Sequence, residues 1–233
     1  MRNIVIYYIA TDIYTQFIAD FIKSLQYFCT ADKLTIILLS DSSEDYSKYN
    51  NEHITIKQYY IQHFCWPIIT LFKMKYILDF FIEDCDYAFY MNSNLRWKQN
   101  KLICLEKDLL FSTKEYSSGE LYKGYNIHQI SKSTSFIDYN KLPEDICYCQ
   151  GGLFGGKPKY LKSFCIDIYE MIKIDLQKGI IPTWHDESYL NKWLYDHYWT
   201  LINKPNIELI SLSDNTIIEY KGKSIDKEFK CLY

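Results

Sequence analysis

Two adjacent carboxylates, Asp186 and Glu187, stand in a segment that reads WHDESYLNK from residue 184 to residue 192. Pro182 precedes this segment and disfavours a helix there, whereas the residues after it repeat an apolar pattern with the period of a helix. We therefore predict that both acids lie at or near a helix N-terminus, where the helix dipole keeps two carboxylates ionised at low cost. The residue types alone leave open the alternative that they are ordinary first-turn acids.

A second polar group follows a predicted strand. The apolar run Tyr87–Met91 reads as a buried strand and ends directly in Asn92-Ser93-Asn94. Side-chain amides bind divalent ions poorly, but they can hydrogen-bond to ribose or to phosphate oxygens. The alternative interpretation is an asparagine-rich turn after a strand.

Two glycine pairs stand close together, at residues 151–152 and 155–156. Glycine lacks a Cβ, so paired glycines at this spacing indicate that other atoms approach the backbone closely. A kink in a strand is the other interpretation.

The elements that must position these residues indicate an α/β protein. A buried strand over Asn3–Ala10, a helix over residues 17–28 and a second buried strand over residues 34–39 predict a right-handed β-α-β unit and a parallel sheet. Ligands bind beyond the carboxyl ends of such strands, so residues 10–14 should lie at the mouth of a site, with Thr11-Asp12 capping the next helix. Further strands are predicted over 54–60, nearer an edge, and 147–154, and further helices after Trp66-Pro67 and over 160–174; residues 107–141 are polar and remain unassigned.

Composition limits the classes of function. The 233 residues carry a net charge of −3, so bulk electrostatics do not favour nucleic-acid binding. The eight cysteines form no CxxC pair, which predicts reduced thiols rather than a zinc site. Without a signal-peptide pattern or a long apolar span, we expect one cytoplasmic domain with at most peripheral membrane contact.

Four motifs occur here in the order of a known family: Trp66-Pro67 before a helix, the triplet at 92–94, GGLFGG at 151–156 and WHDES at 184–188. With them, the chain resembles the ABO histo-blood-group and α1,3-galactosyltransferase family, glycosyltransferase family 6, over roughly residues 3–212. It is most similar to the bacterial, metal-independent branch with Asn-x-Asn. The resemblance implies a GT-A fold, with a mixed, mostly parallel sheet and a Rossmann-like nucleotide-binding half. It also implies one domain, with a UDP-binding half over 1–100, an acceptor and catalytic half over 101–212 and a basic tail over 213–233.

The resemblance further implies transfer of N-acetylgalactosamine or galactose from a UDP-sugar to a β-galactoside, with retention of configuration. By the resemblance, Glu187 falls on the position of the residue proposed as nucleophile or transition-state stabiliser. A carboxylate suits both roles, because positive charge develops at the anomeric carbon. Trp184 falls on an acceptor-stacking position. The residues implied for donor-sugar binding are His185, Asp186, Gln150, Gly151 and Gly152.

Gly152 leaves room for an acetamido group, which favours N-acetylgalactosamine as the donor sugar. For UDP, the resemblance implies contacts from the turn after the first strand, from a helix lysine, from the amide triplet and from the tail. These residues are Ile9, Ala10, Thr11, Tyr14, Lys73, Asn92, Ser93, Asn94, Lys221 and Lys223. The alternative for Lys73 is a solvated helix lysine.

No metal or other cofactor is expected, because amides stand where many relatives carry carboxylates. We expect the lysines of the tail, at residues 221, 223, 227 and 230, to neutralise the departing UDP instead. A disordered, solvated tail is the alternative interpretation.

The chain also departs from the family on the acceptor side. It reads TKEYS at residues 113–117, where the family carries a His-Pro-Gly-Phe run. The family's arginine pair before Ser-x-Ala-Tyr-Ile is also missing, and the nearest match to that segment is STSFI at residues 133–137. Two other classes of function stay open: a nucleotidyltransferase, which would need metal-binding acids, and a catalytically silent sugar-binding protein.

Overall fold

The computed structural model describes residues 1–28, 32–97, 107–113, 130–138, 148–199, 206–211 and 218–220. Its centre is a seven-stranded sheet with the strand order β3-β2-β1-β4-β7-β6-β8. The strands of this sheet are β1 (Asn3–Ala10), β2 (Lys33–Ser40), β3 (Ile54–Tyr60), β4 (Tyr87–Asn92), β6 (Leu109–Thr113), β7 (Cys149–Gly156) and β8 (Ile207–Ser211). Two short strands, β5 (Leu95–Trp97) and β9 (Ile218–Tyr220), form a separate antiparallel pair.

The sheet is mixed but mostly parallel. Strands β1, β2, β3 and β4 run parallel to one another, and β6 runs parallel to β8. Strand β7 alone is antiparallel to both of its neighbours, β4 and β6. The predicted α/β class and mixed, mostly parallel sheet are therefore confirmed, including the edge position of β3.

The helices cover both faces of the sheet. They are α1 (Ile18–Phe28), α2 (Ile68–Leu71), α3 (Lys73–Asp79), α4 (Pro158–Gln177) and α5 (His185–Leu194), with a 3-10 helix at Asp12–Phe17 and a π-helix at Tyr195–Trp199. None of the helices in the described ranges is long and apolar enough to cross a membrane.

Strand β1 shows why its sequence is apolar without interruption. Ile4, Ile6 and Tyr8 pack into one core together with α1, whereas Val5 and Tyr7 pack into a second core together with α3, α4 and α5. Successive side chains point to opposite faces, so a strand buried on both faces needs apolar residues at every position.

Several element boundaries differ from the prediction. The helix predicted after Trp66-Pro67 is divided into α2 and α3, and α4 extends beyond residues 160–174 at both ends. The unassigned residues 107–141 contain β6, whose short run of five residues lies within a polar segment. Thr11 precedes the 3-10 helix but makes no side-chain cap, because its hydroxyl group bonds to His63 instead.

Candidate active site

Polar side chains collect at one end of the sheet, the edge formed by the carboxyl ends of β1 and β4. Ile9 pairs with Asn92 in the parallel register of these strands, so Thr11 and the amide triplet begin at the same level. Strand β7 runs in the opposite direction, and Met91 of β4 pairs with Leu153. The first residues of β7 therefore reach this same edge, although the predicted nucleotide-binding turn is far from them in sequence.

Helix α5 begins at this edge, with Asp186 and Glu187 in its first turn as predicted. His185 opens the helix with a φ of 49°, a left-handed conformation that is uncommon outside glycine. The two carboxylates turn toward other elements. Asp186 contacts Lys73 of α3, and Glu187 contacts Gly151 of β7, so the described hydrogen bonds of both side chains join other elements instead of capping the helix.

Asp186 forms a buried ion pair with Lys73. The Lys73 Nζ lies 2.6 Å from the Asp186 Oδ2, and the two residues are only 5 % and 6 % exposed. The same ammonium group donates to the Gly151 carbonyl at 2.9 Å and lies 4.5 Å from the centre of the Tyr90 ring. The solvated-helix interpretation of Lys73 is therefore wrong, whereas its predicted UDP contact stays a prediction.

The electrostatics of this pair keep Lys73 charged. Burial alone would lower the pKa of Lys73, but the negative charge of Asp186, supported by Tyr90 and Glu187, outweighs it and raises the pKa above its usual range. A permanent ammonium group thus compensates the Asp186 carboxylate.

Glu187 has different partners. Its Oε1 accepts a hydrogen bond from the Gly151 backbone N–H at 3.0 Å, and its Oε2 accepts one from the Tyr148 hydroxyl group. Burial raises the pKa of Glu187, and the neighbouring Asp186 charge raises it further, while the two hydrogen bonds oppose the shift. The described hydrogen bonds to this carboxylate all come from neutral donors.

Gly151 allows the two carboxylates to approach the strand. A Cβ atom built on Gly151 would lie 2.5 Å from the Asp186 Oδ2, 3.1 Å from the Lys73 Nζ and 3.3 Å from the Glu187 Cγ. The predicted close approach to the glycine pairs is therefore confirmed at this position. Gly155 has the same requirement against the neighbouring strand, because its Cβ would lie 2.3 Å from the Ala88 carbonyl oxygen.

The other two donor-site residues of β7 are also buried. Gln150 is 8 % exposed, and its carbonyl accepts a hydrogen bond from Ser112 of β6. Gly152 lies within the buried strand directly after Gly151. Both are next in the chain to Gly151, which contacts the carboxylates, and their predicted role in donor binding stays a prediction.

The amide triplet forms its own hydrogen bonds at the end of β4. The Asn92 Nδ2 donates to the Asn94 Oδ1 at 2.9 Å, and the Tyr90 hydroxyl group donates to the Asn92 Oδ1 at 3.2 Å. Ser93 is buried, and its carbonyl accepts a hydrogen bond from the Tyr8 hydroxyl group at 2.7 Å. In the described part of the chain, no three His, Cys, Asp or Glu side chains are grouped so that they could hold a metal ion.

The predicted nucleotide-binding turn follows β1. The Ile9 and Ala10 side chains are buried in the core, so a ligand at this edge meets their backbone rather than their side chains. The Thr11 Oγ1 lies 3.1 Å from the His63 Nδ1. Asp12 has a φ of 54°, and its backbone N–H lies 3.0 Å from both carboxylate oxygens of Asp41.

Tyr14, the last residue predicted in this turn, is half-buried and packs against the core beside α1. Burial raises the pKa of its hydroxyl group, which therefore stays protonated and available as a donor.

Exposed aromatic side chains surround the start of α5. Trp184 is 43 % exposed and Trp66 is 42 % exposed. The ring centres of Trp66 and His185 lie 4.2 Å apart in an edge-to-face arrangement. Exposed indole rings are suited to stacking on sugars, and the acceptor position of Trp184 stays a prediction.

Several predicted residues cannot be located. The four tail lysines at residues 221, 223, 227 and 230, and residues 114–117 of the acceptor segment, lie outside the described residues. Residues 133–137 are described, and there Ser133 and Thr134 bond to the buried Asp175 of α4.

Two residues of the site were missed by the sequence analysis. Tyr148, which contacts Glu187, lies in a cysteine-rich segment without a recognisable motif. Asn191 bonds to the backbone of Cys149 through both atoms of its amide. Its position four residues after Glu187 places it on the same helix face, and this spacing was the available signal.

Comparison with known proteins agrees with this geometry. The family model described as glycosyltransferase family 6 matches residues 3–213. The chain is similar to the O-antigen biosynthesis glycosyltransferase WbnI of Escherichia coli, with 30 % identity over 205 residues that cover 82 % of this chain and 81 % of the relative. A match over nearly the whole chain, together with the α/β sheet and the paired carboxylates, shows that this protein belongs to glycosyltransferase family 6.

Proposed function

We propose that the protein is a retaining α1,3-glycosyltransferase that transfers N-acetylgalactosamine, or galactose, from a UDP-sugar to a β-galactoside of a bacterial surface glycan without a metal ion. The observation that carries the proposal is the difference between its two adjacent carboxylates. Asp186 is compensated by Lys73, whereas the described hydrogen bonds to Glu187 come from neutral donors.

This difference divides the roles of the two acids. A compensated, rigid carboxylate such as Asp186 suits hydrogen bonding to the hydroxyl groups of the donor sugar. Glu187, whose described hydrogen bonds come from neutral donors and on which Lys73 acts only through its charge, is attracted to the positive charge that develops at the anomeric carbon as the bond to phosphate breaks. Glu187 therefore acts as the nucleophile or as the stabiliser of the oxocarbenium-like transition state, and the acceptor hydroxyl group attacks from the face that UDP leaves.

The amide triplet and the C-terminal tail handle the diphosphate. Asn92 and Asn94 are neutral, so they can hydrogen-bond to UDP but cannot offset its charge. Tyr220 of β9 pairs with Leu95, which directly follows Asn94. Because one residue spans at most about 3.3–3.6 Å, Lys221 and Lys223 start within a few residues' reach of the triplet, which supports their proposed role as the cation.

The proposed sugars follow from Gly152 on the donor side and from the name of the relative on the acceptor side. A glycine at position 152 leaves space for an acetamido group, so N-acetylgalactosamine is the preferred donor sugar in this proposal. The relative's name refers to O-antigen biosynthesis. This supports a surface polysaccharide as the acceptor. In the proposal, Trp184 stacks on the terminal galactose, and both a plain galactose and one that carries fucose at O2 are candidate acceptors.

The test offers UDP-N-acetylgalactosamine and UDP-galactose to the purified protein with a panel of fucosylated and unfucosylated β-galactosides, in the presence of a chelator. We expect transfer with an α1,3 linkage, measured by product mass and NMR, and slow UDP release without an acceptor. Transfer that disappears with the chelator would contradict the metal-independent mechanism, and absence of any UDP release would favour a sugar-binding protein.

Glu187→Gln tests the central residue in the same assay. Because this change removes the charge and keeps the shape, we expect turnover to fall by about 10²-fold or more. Glu52→Gln is the matched control. Glu52 is exposed just before the amino end of β3, at the opposite end of the strands from the site, so the substitution should leave turnover unchanged. Undiminished turnover in Glu187→Gln would remove this residue from the mechanism.

A further inference from the structure

In the described part of the chain, no strand pairs with the first half of β7 on the side of β4. The pairing between β4 and β7 involves only residues 153–156 of β7, and the strand begins at Cys149. The backbone groups of residues 149–152 on that side would therefore be left without a ladder.

Side chains take the place of the missing ladder. The Cys149 N–H donates to the Asn191 Oδ1 at 2.9 Å, and the Cys149 carbonyl accepts from the Asn191 Nδ2 at 2.8 Å. Two residues on, the Gly151 N–H donates to Glu187 at 3.0 Å, and the Gly151 carbonyl accepts from Lys73 at 2.9 Å. Residues i and i+2 of a strand present their polar groups on the same side, so these four bonds follow one edge of β7.

The spacing of the helix matches the spacing of the strand. Asn191 and Glu187 are four residues apart on α5, which corresponds to about 6 Å along a helix axis. Cys149 and Gly151 are two residues apart on β7, which corresponds to about 6.4–6.8 Å. Helix α5 can therefore bond to both strand positions at once, and the contact of Asn191 sets the place where Glu187 meets the strand.

Asn191 is well suited to fix this register. It is 5 % exposed, and its Nδ2 also donates to the Glu187 carbonyl at 2.8 Å. A side-chain amide has both a donor group and an acceptor oxygen, the combination that a strand residue presents to its neighbour, and the second N–H of the NH₂ group is free to bond to Glu187. An ionised carboxylate lacks the donor and a methyl group lacks both functions, whereas a serine hydroxyl group has one oxygen atom in place of the separate amide oxygen and nitrogen that bond to Cys149.

We propose that Asn191 is a positioning residue, which holds helix α5 in register with the open edge of β7 and thereby aims the Glu187 carboxylate at the reacting sugar. Asn191 acts through Glu187 and does not itself touch the substrate. The inference rests on the proposed role of Glu187, but it predicts a separate set of measurements.

The test compares Asn191→Ala and Asn191→Ser with the wild type in the donor and acceptor assay. Misplacing a reacting group by about 1 Å costs about 10²-fold in rate, so we expect kcat to fall by about 10²-fold while the KM for the UDP-sugar changes less than about threefold. The acid limb of the pH profile of kcat should also move, because the hydrogen bonds to Glu187 change. If Asn191→Ala fails to fold, Asn191→Ser, whose side chain is uncharged and smaller than that of asparagine, takes its place in the comparison.

Asn50→Ala is the matched control. The Asn50 Oδ1 accepts a hydrogen bond from the Ile56 backbone N–H at 2.7 Å, so this asparagine also bonds to a strand through its side chain, but far from the site. We expect this variant to melt earlier while keeping the wild-type kcat and pH profile. Equal losses of kcat in the Asn50 and Asn191 variants would overturn the inference, because both would then reflect stability alone.

A measurement without turnover separates the inference from the proposed function. The carboxyl carbon of Glu187 can be followed by ¹³C NMR during a pH titration and assigned with Glu187→Gln. We expect a changed titration midpoint for Glu187 in the Asn191 variants. An unchanged midpoint and unchanged kcat, in an enzyme that Glu187→Gln inactivates, would overturn the positioning role and leave the proposed function standing.

Discussion

At the scale of single residues, two neighbouring acids acquire different properties from their partners. Asp186 faces an ammonium group, and Glu187 faces a backbone N–H and a phenol. Adjacent helix residues point in different directions, about 100° apart, so each side chain reaches a different element. Chemical roles follow from these partners rather than from the residue types, which are both simple carboxylates.

The hydroxyl group of Tyr148 provides a test of the Glu187 environment. Its hydrogen bond lowers the pKa of Glu187, against the larger raising effect of burial. Tyr148→Phe removes this bond, so the pKa should rise further and the ionised form should be lost at a higher pH. We expect the acid limb of the pH profile of kcat to move upward, measured with the preferred UDP-sugar.

Tyr160→Phe is the control for this change, since Tyr160 is exposed at the start of α4, at the opposite end of the strands from the site. Its pH profile should match that of the wild type. A downward shift of the acid limb in Tyr148→Phe would contradict the assigned direction of the hydrogen-bond effect.

Gly151 tests the close approach to the strand. A Cβ at 2.5 Å from the Asp186 Oδ2 must displace a carboxylate that Lys73 holds, and the Glu187 side chain lies beside it. We expect Gly151→Ala to lower kcat by about 10²-fold, as measured for transfer at saturating donor.

Gly179→Ala is the matched glycine control, and we expect it to lower the stability of the fold rather than kcat. Gly179 has open space around its Cβ position but a φ of 68°, so alanine there should cost about 1–2 kcal/mol of stability without affecting the carboxylates. Its kcat should stay close to that of the wild type at a temperature where both variants are folded. If Gly151→Ala also kept its kcat, the geometry assigned to the two acids would be wrong.

At the scale of secondary-structure elements, short pieces connect the site to distant parts of the chain. Helix α3 contributes Lys73 from the first half of the sequence to an acid of the second half, 113 residues away. Strand β9 pairs with β5 and brings residues 218–220 beside the strand that directly follows the amide triplet. Such long-range pairings place residues that no local pattern relates to one another.

Truncation separates the strand from the tail that follows it. A chain ending at Tyr220 keeps β9, whereas a chain ending at Asn215 loses both β9 and the lysines. If the lysines neutralise UDP, loss of a charge-assisted contact worth about 1.5–3 kcal/mol should raise the KM for the UDP-sugar by about 10- to 100-fold in both truncated chains.

The double variant Lys221→Ala/Lys223→Ala should reproduce the effect of truncation. Lys23→Ala/Lys159→Ala changes the net charge equally at exposed sites on helices α1 and α4 and should leave the KM for the UDP-sugar unchanged. Wild-type UDP affinity and turnover after truncation at Tyr220 would reject the tail as a lid and favour a solvated terminus.

At the scale of the whole molecule, one buried carboxylate joins three segments on the side of α4 and α5. Asp175 of α4 is fully buried. Its oxygens accept hydrogen bonds from the Thr134 backbone N–H at 2.9 and 3.0 Å and from the Tyr189 hydroxyl group at 3.0 Å, as well as from Ser133. The segment at 130–138, helix α4 and helix α5 therefore depend on one another for their positions.

Asp175→Asn should destabilise the protein, because an amide turns an NH₂ group toward donors and leaves them partly unsatisfied. We expect a loss of about 1–3 kcal/mol in the free energy of unfolding, measured by urea titration. Asp79→Asn removes an exposed ion pair with Lys75 and should change stability by no more than about 1 kcal/mol. Equal effects of the two substitutions would show that the Asp175 network contributes nothing beyond a surface pair.

The sequence by itself determined the class of fold and the main site motifs. Apolar runs such as that of β1 and the helical period after Glu187 are local patterns, and burial on both faces or on one face produces them directly. The same holds for the prediction that the glycine pairs allow a close approach, since only a missing Cβ permits it. The motifs also identified the family, because their order along the chain reflects the order of the elements.

Only the tertiary structure decided the partners of the site residues. The sequence left open whether Lys73 is a solvated helix lysine, and the structure shows it buried, bonded to the Gly151 carbonyl of β7 and paired with Asp186 of α5. Tyr148 carries no local signal for its bond to Glu187, and the spacing of Asn191 after Glu187 does not show that its amide bonds to the backbone of β7. Hydrogen bonds and ion pairs act over a few ångströms in space, and separation along the chain does not predict them.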